Sequence, residues 1–124
     1  MESRAESEEE NPTIFGKILR GEIPSERVYE DDRVVAFKDI NAAAPVHILV
    51  IPRKHLVNLF DVESEEDEAL VGHVLRVAAQ VARAQGLEED GFRLVMNNGA
   101  GVGQSVFHMH AHVIGGRELS WPPG

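Results

Sequence analysis

Three histidines recur at every second position near the end of the chain, in the segment 107–113, which reads Phe-His-Met-His-Ala-His-Val. Side chains of a β-strand alternate between its two faces, so this spacing places His108, His110 and His112 on one face. The residues between them are apolar and point to the other face. The pattern therefore predicts a strand with one chemically active face and one face in the hydrophobic core.

Three interpretations of this histidine cluster are open from the residues alone. The first is a solvated or hydrogen-bonded ladder on the surface of a sheet. The second is a metal site, because His-x-His on a strand can offer two nitrogens to one zinc ion, although His108 and His112 would lie about 13 Å apart. The third is a nucleophile flanked by imidazoles that orient it and carry protons, since a pKa of about 6.5 suits proton transfer at neutral pH. The third interpretation explains the spacing best.

The length and charge of the chain narrow the classes of protein to which it can belong. With 124 residues, it has room for a single domain, which we assign to residues 12–124 after an acidic, disordered tail at residues 1–11. A net charge of −9 argues against nucleic acid as a partner, and the absence of cysteine excludes disulfides and thiol chemistry. The sequence has no apolar run of about 18 residues and no secretory signal pattern, so we expect a cytoplasmic protein without membrane contact.

The remaining pattern predicts two helices and further strands. Asn11 and Pro12 can begin a first helix that ends at Gly21, and Ser64 caps a second, amphipathic helix that ends at Gly86. Strands are expected as a hairpin of residues 28–29 and 34–37, and as the segments 46–51 and 92–96. The apolar face of the second helix is assigned to Leu70, Val71, Val74, Leu75, Ala78, Val81 and Ala82.

Three other histidines lie outside the cluster. His47 shares one face of its predicted strand with Leu49 and Ile51, which makes it a candidate partner of the cluster. His55, in a loop, and His73, at the edge of the apolar face of the second helix, are assigned structural or solvated roles.

A glycine-rich loop, residues 97–105, immediately precedes the histidine cluster. Glycines permit positive φ angles and let backbone N–H groups approach a ligand closely, as phosphate-binding loops require, but a turn between two strands also favours glycine. The loop brings Gln104 and Ser105 next to the histidines. Backbone amides, a hydroxyl and imidazoles in one place suit an anion that undergoes substitution at phosphorus.

Together these motifs resemble the histidine-triad (HIT) superfamily, and within it the Hint branch of histidine-triad nucleotide-binding proteins. The resemblance extends from about Thr13 to Gly124. It depends on His-x-His-x-His-Val-Ile at 108–114, Gly-Gln-Ser-Val at 103–106, Pro-Val-His at 45–47, Gly-Gly-Arg at 115–117 and Trp-Pro-Pro-Gly at 121–124.

The resemblance implies a purine nucleoside phosphoramidase, which hydrolyses the P–N bond of adenosine or guanosine 5′-phosphoramidates through a covalent nucleotidyl-histidine, without a metal or another cofactor. By position, His110 would be the nucleophile and His112 would bind the phosphate. His108 and His47 would orient the nucleophile and relay protons, and Ser105 would contact the leaving amine.

The same resemblance implies the residues that bind the nucleotide. Asp39 would hold the ribose hydroxyls with Ile40 beside it, and Asn97 would contact the ribose and phosphate. Gly103 and Gln104 would line the phosphate site. An apolar slot for the base would comprise Ile14, Phe15, Ile18 and Phe37.

The resemblance also implies an α+β fold, a five-stranded antiparallel sheet with two helices, that pairs into a homodimer. In the family, the C-terminal segment that carries Trp121 approaches the active site of the partner. Lys38 and the pair Asn97-Asn98 depart from the family pattern and bear on base or leaving-group preference. Two alternative functions stay open: a dinucleoside-polyphosphate hydrolase of a sister branch, and a noncatalytic protein that binds nucleotides or a metal.

Overall fold

Five strands form one antiparallel sheet in the computed structural model, which describes residues 11–124. The strands are β1 (Arg27–Glu30), β2 (Val34–Lys38), β3 (Val46–Pro52), β4 (Arg93–Val95) and β5 (Ala111–Gly115). Their spatial order is β1-β2-β3-β5-β4, and every neighbouring pair is antiparallel. The predicted α+β class, with a five-stranded antiparallel sheet and two helices, is confirmed.

The first helix, α1 (Ile14–Leu19), begins later than the sequence pattern predicts. Thr13 caps it instead of Asn11, because the Thr13 hydroxyl accepts a hydrogen bond from the Gly16 N–H at 3.1 Å. Asn11 precedes the helix and is fully buried, so it belongs to the folded part of the chain. The rest of the predicted tail, residues 1–10, lies outside the described residues.

The second helix, α2 (Glu65–Ala84), has the cap that the sequence predicts, since the Ser64 side chain accepts a hydrogen bond from the Asp67 N–H at 3.0 Å. Four acidic residues in its first turn lie at the positive end of the helix dipole. The predicted apolar face is wrong at Leu75, which is 44% exposed, and it omits Val77, which is fully buried. The buried face of α2 includes Val77 and leaves Leu75 at its edge. Within residues 11–124, no helix combines the length and apolar character needed to cross a membrane.

The two helices pack on opposite faces of the sheet. In β3, Ile48 and Val50 face α2, whereas Leu49 and Ile51 face α1, as the period of two requires. The α2 side includes Val34, Ala36, Ile48, Val50, Leu70, Val74, Val77, Ala78, Val81, Met109, Ala111 and Val113. The α1 side comprises Phe15, Ile18, Leu19, Val35, Phe37, Leu49 and Ile51. Because α1 has only six residues, part of the second face stays open as a cavity.

Candidate active site

A cavity of about 360 Å³ lies between α1 and the sheet. It brings together nine of the residues predicted to form the site: Ile14, Phe15, Ile18, Phe37, Asp39, Ile40, Ser105, His110 and His112. Seven further lining residues were not among the candidates: Ile23, Pro24, Ser25, Lys38, Asn41, Leu49 and Val106. Five candidates do not line it: His47, Asn97, Gly103, Gln104 and His108.

His110 is held with one specific nitrogen directed away from the backbone. Its Nδ1–H donates to the carbonyl oxygen of His108 at 2.7 Å, so in the neutral ring the lone pair resides on Nε2. The edge of its ring meets Phe15 at a centroid distance of 5.0 Å. Burial lowers the pKa of His110, and the hydrogen bond to His108 and the charge of Asp39 only partly oppose this effect. The ring is therefore neutral at pH 7 and has the nucleophilic form.

His47 and His112 form a chain of hydrogen bonds that begins at the backbone. The Ala43 N–H donates to His47 Nδ1 at 2.9 Å, so the His47 proton lies on Nε2. That Nε2–H donates to His112 Nδ1 at 2.9 Å, which in turn places the proton of His112 on Nε2. His112 Nε2 is buried and has no hydrogen-bond partner among residues 11–124. Because His112 lines the cavity, this N–H is available to a ligand.

Burial is also the largest influence on the charge of His112. It lowers the pKa of His112 to about 4, helped by the nearby His110 and His47, while Asp39 acts in the opposite direction. His112 therefore presents a neutral N–H donor to the cavity at pH 7, in agreement with the hydrogen-bond chain.

Asp39 is oriented by three contacts with its surroundings. Its Oδ1 accepts a hydrogen bond from the Asn41 N–H at 2.9 Å, and its own N–H donates to the His47 carbonyl at 3.0 Å. Its Oδ2 lies 3.4 Å from His47 Nε2. The carboxylate thus lies between the cavity and the histidine chain, where it can accept hydrogen bonds from a ligand.

Asp39, His47 and His112 are also close enough to be tested as a metal site, since their ligand atoms lie within 4.8 Å of one another. Their hydrogen bonds do not suit that role. The Nδ1 lone pairs of both histidines already accept N–H groups, and both Nε2 atoms carry protons. A metal ion would have to replace these hydrogen bonds. The expectation that no metal binds stays a prediction.

His108 lies on the α1 side of the sheet, where its ring meets Phe15 at a centroid distance of 6.1 Å, but it does not line the cavity. β5 begins only at Ala111, and the chain bends at residues 106–108, so the strand is shorter than the histidine spacing predicts. Its Nε2–H donates to the Pro52 carbonyl at 2.7 Å, and its Nδ1 accepts from Asn11 Nδ2 at 2.7 Å. Burial lowers the pKa of His108 to about 4. The fully enclosed ring is placed to orient neighbours and has no N–H free for a ligand.

His55 packs against the ring of His108. The two rings stack at a centroid distance of 5.2 Å with planes 9° apart, and His55 Nε2–H donates to the Phe107 carbonyl at 2.9 Å. The structural role assigned to His55 from the sequence agrees with this packing. Its proximity to the histidine cluster had no local signal in the sequence.

The glycine-rich loop is held together largely by Gln104. The buried Gln104 accepts a hydrogen bond from the Gly99 N–H at 2.8 Å and donates to the Val57 carbonyl at 2.6 Å. Asn97 Nδ2 donates across the loop to the Gly103 carbonyl at 3.4 Å, where Gly103 has a φ of +107°. Gln104, Asn97 and Gly103 therefore shape the loop, and Ser105 is the exposed residue that it delivers to the cavity.

Comparison with known sequences identifies the family. Residues 20–119 match the HIT domain family. The chain belongs to the HIT family. It is 58% identical over 112 residues to an uncharacterized HIT-like protein of Synechocystis sp., which covers 90% of this chain and 96% of that protein. It is 52% identical over 112 residues to an uncharacterized HIT-like protein of Synechococcus elongatus, with the same two coverages of 90% and 96%.

Solved structures of HIT proteins have the same fold. A HIT family hydrolase from Legionella pneumophila is similar with a TM-score of 0.85 and 46% identity, covering 90% of this chain and 98% of that one. A histidine triad protein from Clostridium difficile has a TM-score of 0.81 and 46% identity, with coverages of 86% and 92%. A histidine triad nucleotide-binding protein from Candida albicans has a TM-score of 0.76 and 30% identity, with coverages of 89% and 82%.

Proposed function

We propose that this HIT protein is a purine nucleoside phosphoramidase of the Hint type, which hydrolyses the P–N bond of adenosine or guanosine 5′-phosphoramidates. The observation that carries the proposal is the pairing of two differently protonated histidines at one cavity. His110 is fixed with its lone pair on Nε2, and His112 is fixed with an unpartnered N–H on Nε2. Substitution at a phosphate requires a nucleophile beside a hydrogen-bond donor.

The lining of the cavity supports a nucleoside monophosphate as the bound part of the substrate. Aromatic side chains such as Phe15 and Phe37 suit a purine base, and the Asp39 carboxylate suits the hydroxyl donors of a ribose. The Nε2–H of His112 suits a phosphate oxygen. The cavity volume of about 360 Å³ falls within the range of small-molecule sites. HIT relatives include a nucleotide-binding protein, which agrees with this class of ligand.

In the first step of the proposed reaction, His110 Nε2 attacks phosphorus. A bond forms between Nε2 and phosphorus while the bond from phosphorus to the amine breaks, and the amine nitrogen takes up one proton. The hydrogen bond from His47 leaves the Nε2–H of His112 as a donor at the cavity, and Ser105 lines the same cavity. We assign phosphate binding to His112, supported by His47, and contact with the leaving amine to Ser105, and the proton that the amine takes up comes from water.

In the second step, water attacks phosphorus and the bond to His110 breaks. The products are the nucleoside monophosphate and His110 with its lone pair restored, while one water proton replaces the proton given to the amine. His108 contributes to both steps by holding His110, because its carbonyl accepts the Nδ1–H of His110. Gly103 and Gln104 contribute by shaping the loop that ends at Ser105.

A homodimer is part of the proposal. Within the described residues, β4 pairs with β5 on one side only, and a strand edge of this kind accepts a second strand. Arg93 Nη2 donates to the Ser120 carbonyl at 2.8 Å and so holds the C-terminal segment beside β4. Trp121 follows directly and is 80% exposed. Pairing of two copies through β4 would bring this Trp121 segment to the partner. Light scattering of the purified protein measures the molecular mass, which distinguishes a monomer from a dimer.

The proposed activity is tested with purified protein, adenosine 5′-phosphoramidate and EDTA, with a dinucleoside polyphosphate as a parallel substrate. We expect release of AMP and ammonia from the phosphoramidate and much slower cleavage of the dinucleoside polyphosphate. Preference for the dinucleoside polyphosphate would instead favour the sister branch. Nucleotide binding without cleavage of either compound would favour a noncatalytic protein.

A further inference from the structure

Asn11 is a buried polar residue that the reaction described above does not use. Its side chain is fully buried. Its Nδ2 donates to His108 Nδ1 at 2.7 Å across 97 residues of sequence. Its Oδ1 accepts from both the N–H and the hydroxyl of Thr13, at 3.0 and 2.7 Å. The amide group is thus oriented by α1 and directed at the histidine cluster.

The hydrogen bonds of His108 show what this contact does. The Pro52 carbonyl can only accept, so the proton of neutral His108 lies on Nε2 and its Nδ1 is an acceptor. Asn11 Nδ2 is the donor that satisfies this acceptor. Without it, a buried nitrogen would be left without a hydrogen bond, and the ring would be free to rotate or to take up a proton.

The position of His108 determines the position of the nucleophile. The carbonyl of His108 accepts the Nδ1–H of His110 at 2.7 Å, and this hydrogen bond leaves the His110 lone pair on Nε2. Phe15 contacts both rings, at centroid distances of 6.1 Å to His108 and 5.0 Å to His110. A change at Asn11 is therefore transmitted to His110 through one residue that is itself fully buried.

We infer that Asn11 is a positioning residue, which fixes the tautomer and orientation of His108 and through it aligns His110 for attack. The inference rests on the proposed function, because it assigns to Asn11 a part in the same reaction. It makes the segment that precedes α1 a part of the active site, although this segment lies outside the cavity. A small misplacement of a nucleophile can reduce a rate by about 100-fold.

Gly16 gives an independent way to move Asn11 without changing it. A Cβ atom at position 16 would lie 2.4 Å from the Asn11 carbonyl oxygen and 2.6 Å from its Cγ, so Asn11 can occupy its place only against a glycine. Gly72, in α2, is the matched control, because a Cβ there would meet no atom within 4 Å. Both substitutions place alanine in a helix, but only Gly16→Ala displaces Asn11.

The test measures kcat, KM and the imidazole ¹⁵N shifts of His108 in wild type, Asn11→Ala, Gly16→Ala and Gly72→Ala. We expect kcat to fall about 10-fold or more in Asn11→Ala and Gly16→Ala, with KM within about two-fold of wild type. The ¹⁵N shifts of His108 should leave the pattern of a single Nε2–H tautomer in these two variants. Gly72→Ala should match wild type in all three measurements.

Asn11→Asp adds a readout that packing alone would not change. A carboxylate cannot donate to His108 Nδ1, so His108 should become doubly protonated beside it, and the ¹⁵N shifts should show this over a wider pH range than in wild type. If wild type is active and Asn11→Ala keeps its kcat and its His108 tautomer, the inference is wrong. If Asn11→Ala does not fold, the same two readouts in Gly16→Ala and Asn11→Asp decide. If wild type has no phosphoramidase activity, the proposed function fails, whereas the tautomer measurement still tests the contact.

Discussion

The face of the sheet under α2 is covered by a helix of 20 residues, whereas the opposite face is covered by a helix of six. Both faces are built from the same strands, whose side chains alternate between them. Under α2 the core is apolar and buried. Under α1 the cover is partial, and the uncovered area is the cavity that His110 and His112 line. The short first helix therefore leaves room for the candidate site.

The two faces also differ in whether their polar groups have hydrogen-bond or ion-pair partners. Polar residues around α2 are paired with one another, as in the 2.7 Å contact of Lys54 with Asp67 and the 2.6 Å contact of His73 with Asp31. On the α1 side, His112 keeps a buried nitrogen without a partner among residues 11–124. Paired groups stabilise the fold, while an unsatisfied donor in a cavity costs stability and is available to a ligand.

The largest expected effect of this contrast is on catalysis. His110→Ala removes the proposed nucleophile, so AMP release from adenosine 5′-phosphoramidate should fall by about 1,000-fold or more while the far-UV circular dichroism stays that of wild type. His73→Gln, on α2, is the control histidine substitution and should keep wild-type turnover. If His110→Ala turned the substrate over at a rate close to that of wild type, catalysis could not be assigned to His110 on the α1 face.

Two adjacent residues of β3, Ile48 and Leu49, allow a more direct comparison of the two faces. Ile48→Ala empties a position that is 1% exposed in the α2 core and should lower the free energy of unfolding by about 2–5 kcal/mol, with kcat and KM unchanged in the folded protein. Leu49→Ala widens the cavity and should raise KM about ten-fold, because the base loses an apolar contact. Urea denaturation and steady-state kinetics of both variants check the prediction. Equal kinetic effects at the two positions would contradict it.

Asp31 tests whether polar groups near α2 contribute to the stability of the fold and not to catalysis. Burial raises its pKa, but hydrogen bonds from His73, Tyr29 and two backbone N–H groups outweigh burial, so the pKa lies well below its usual value. Asp31→Asn should therefore lower the free energy of unfolding at pH 7 by about 1–2 kcal/mol without changing kcat.

The pH dependence of this effect has a definite direction. A carboxylate whose pKa is lowered by folding contributes its stability above the pKa of the unfolded chain, about 3.9, and loses it as the pH falls through the lower pKa of the folded state. The difference in unfolding free energy between wild type and Asp31→Asn should narrow below about pH 4. A difference that stays constant down to the acid transition would contradict the role of the ionised carboxylate.

The smallest expected effect is a shift in the pH profile of the α1 face. Because burial lowers the pKa of His110, the acidic limb of kcat/KM should lie below pH 6.5, the ordinary pKa of histidine. Asp39 raises the pKa of His110, so Asp39→Asn should move the limb to still lower pH. Asp32→Asn, an exposed substitution in the turn before β2, should leave the limb in place. A limb that moves upward in Asp39→Asn would contradict the assignment.

The sequence predicted those parts of the fold that depend on local patterns. The period of two in β3 placed His47, Leu49 and Ile51 together, and the cap at Ser64 located the start of α2. The resemblance to HIT proteins located most of the residues that line the cavity. These features are recorded in side-chain spacing or in motifs, and both are visible in a single chain.

The sequence could not show contacts between distant segments. Neither nitrogen of His108 is available to a ligand, because Pro52 and Asn11, which lie 56 and 97 residues away, bind them. The tautomer of His112 depends on the Ala43 N–H, through His47. Both effects follow from where distant backbone and side-chain groups lie in the folded chain, and residue spacing carries no information about that.

The most direct test of whether His110 Nε2 forms the bond to phosphorus is a rapid-quench experiment with adenosine 5′-phosphoramidate, followed by peptide mass spectrometry. We predict an adenylyl group on His110 that forms within the first turnover, at a rate no slower than the steady-state kcat, and that is absent from His110→Ala. Turnover by wild type with no adduct at any quench time, or an adduct on His112 instead, would contradict this mechanism.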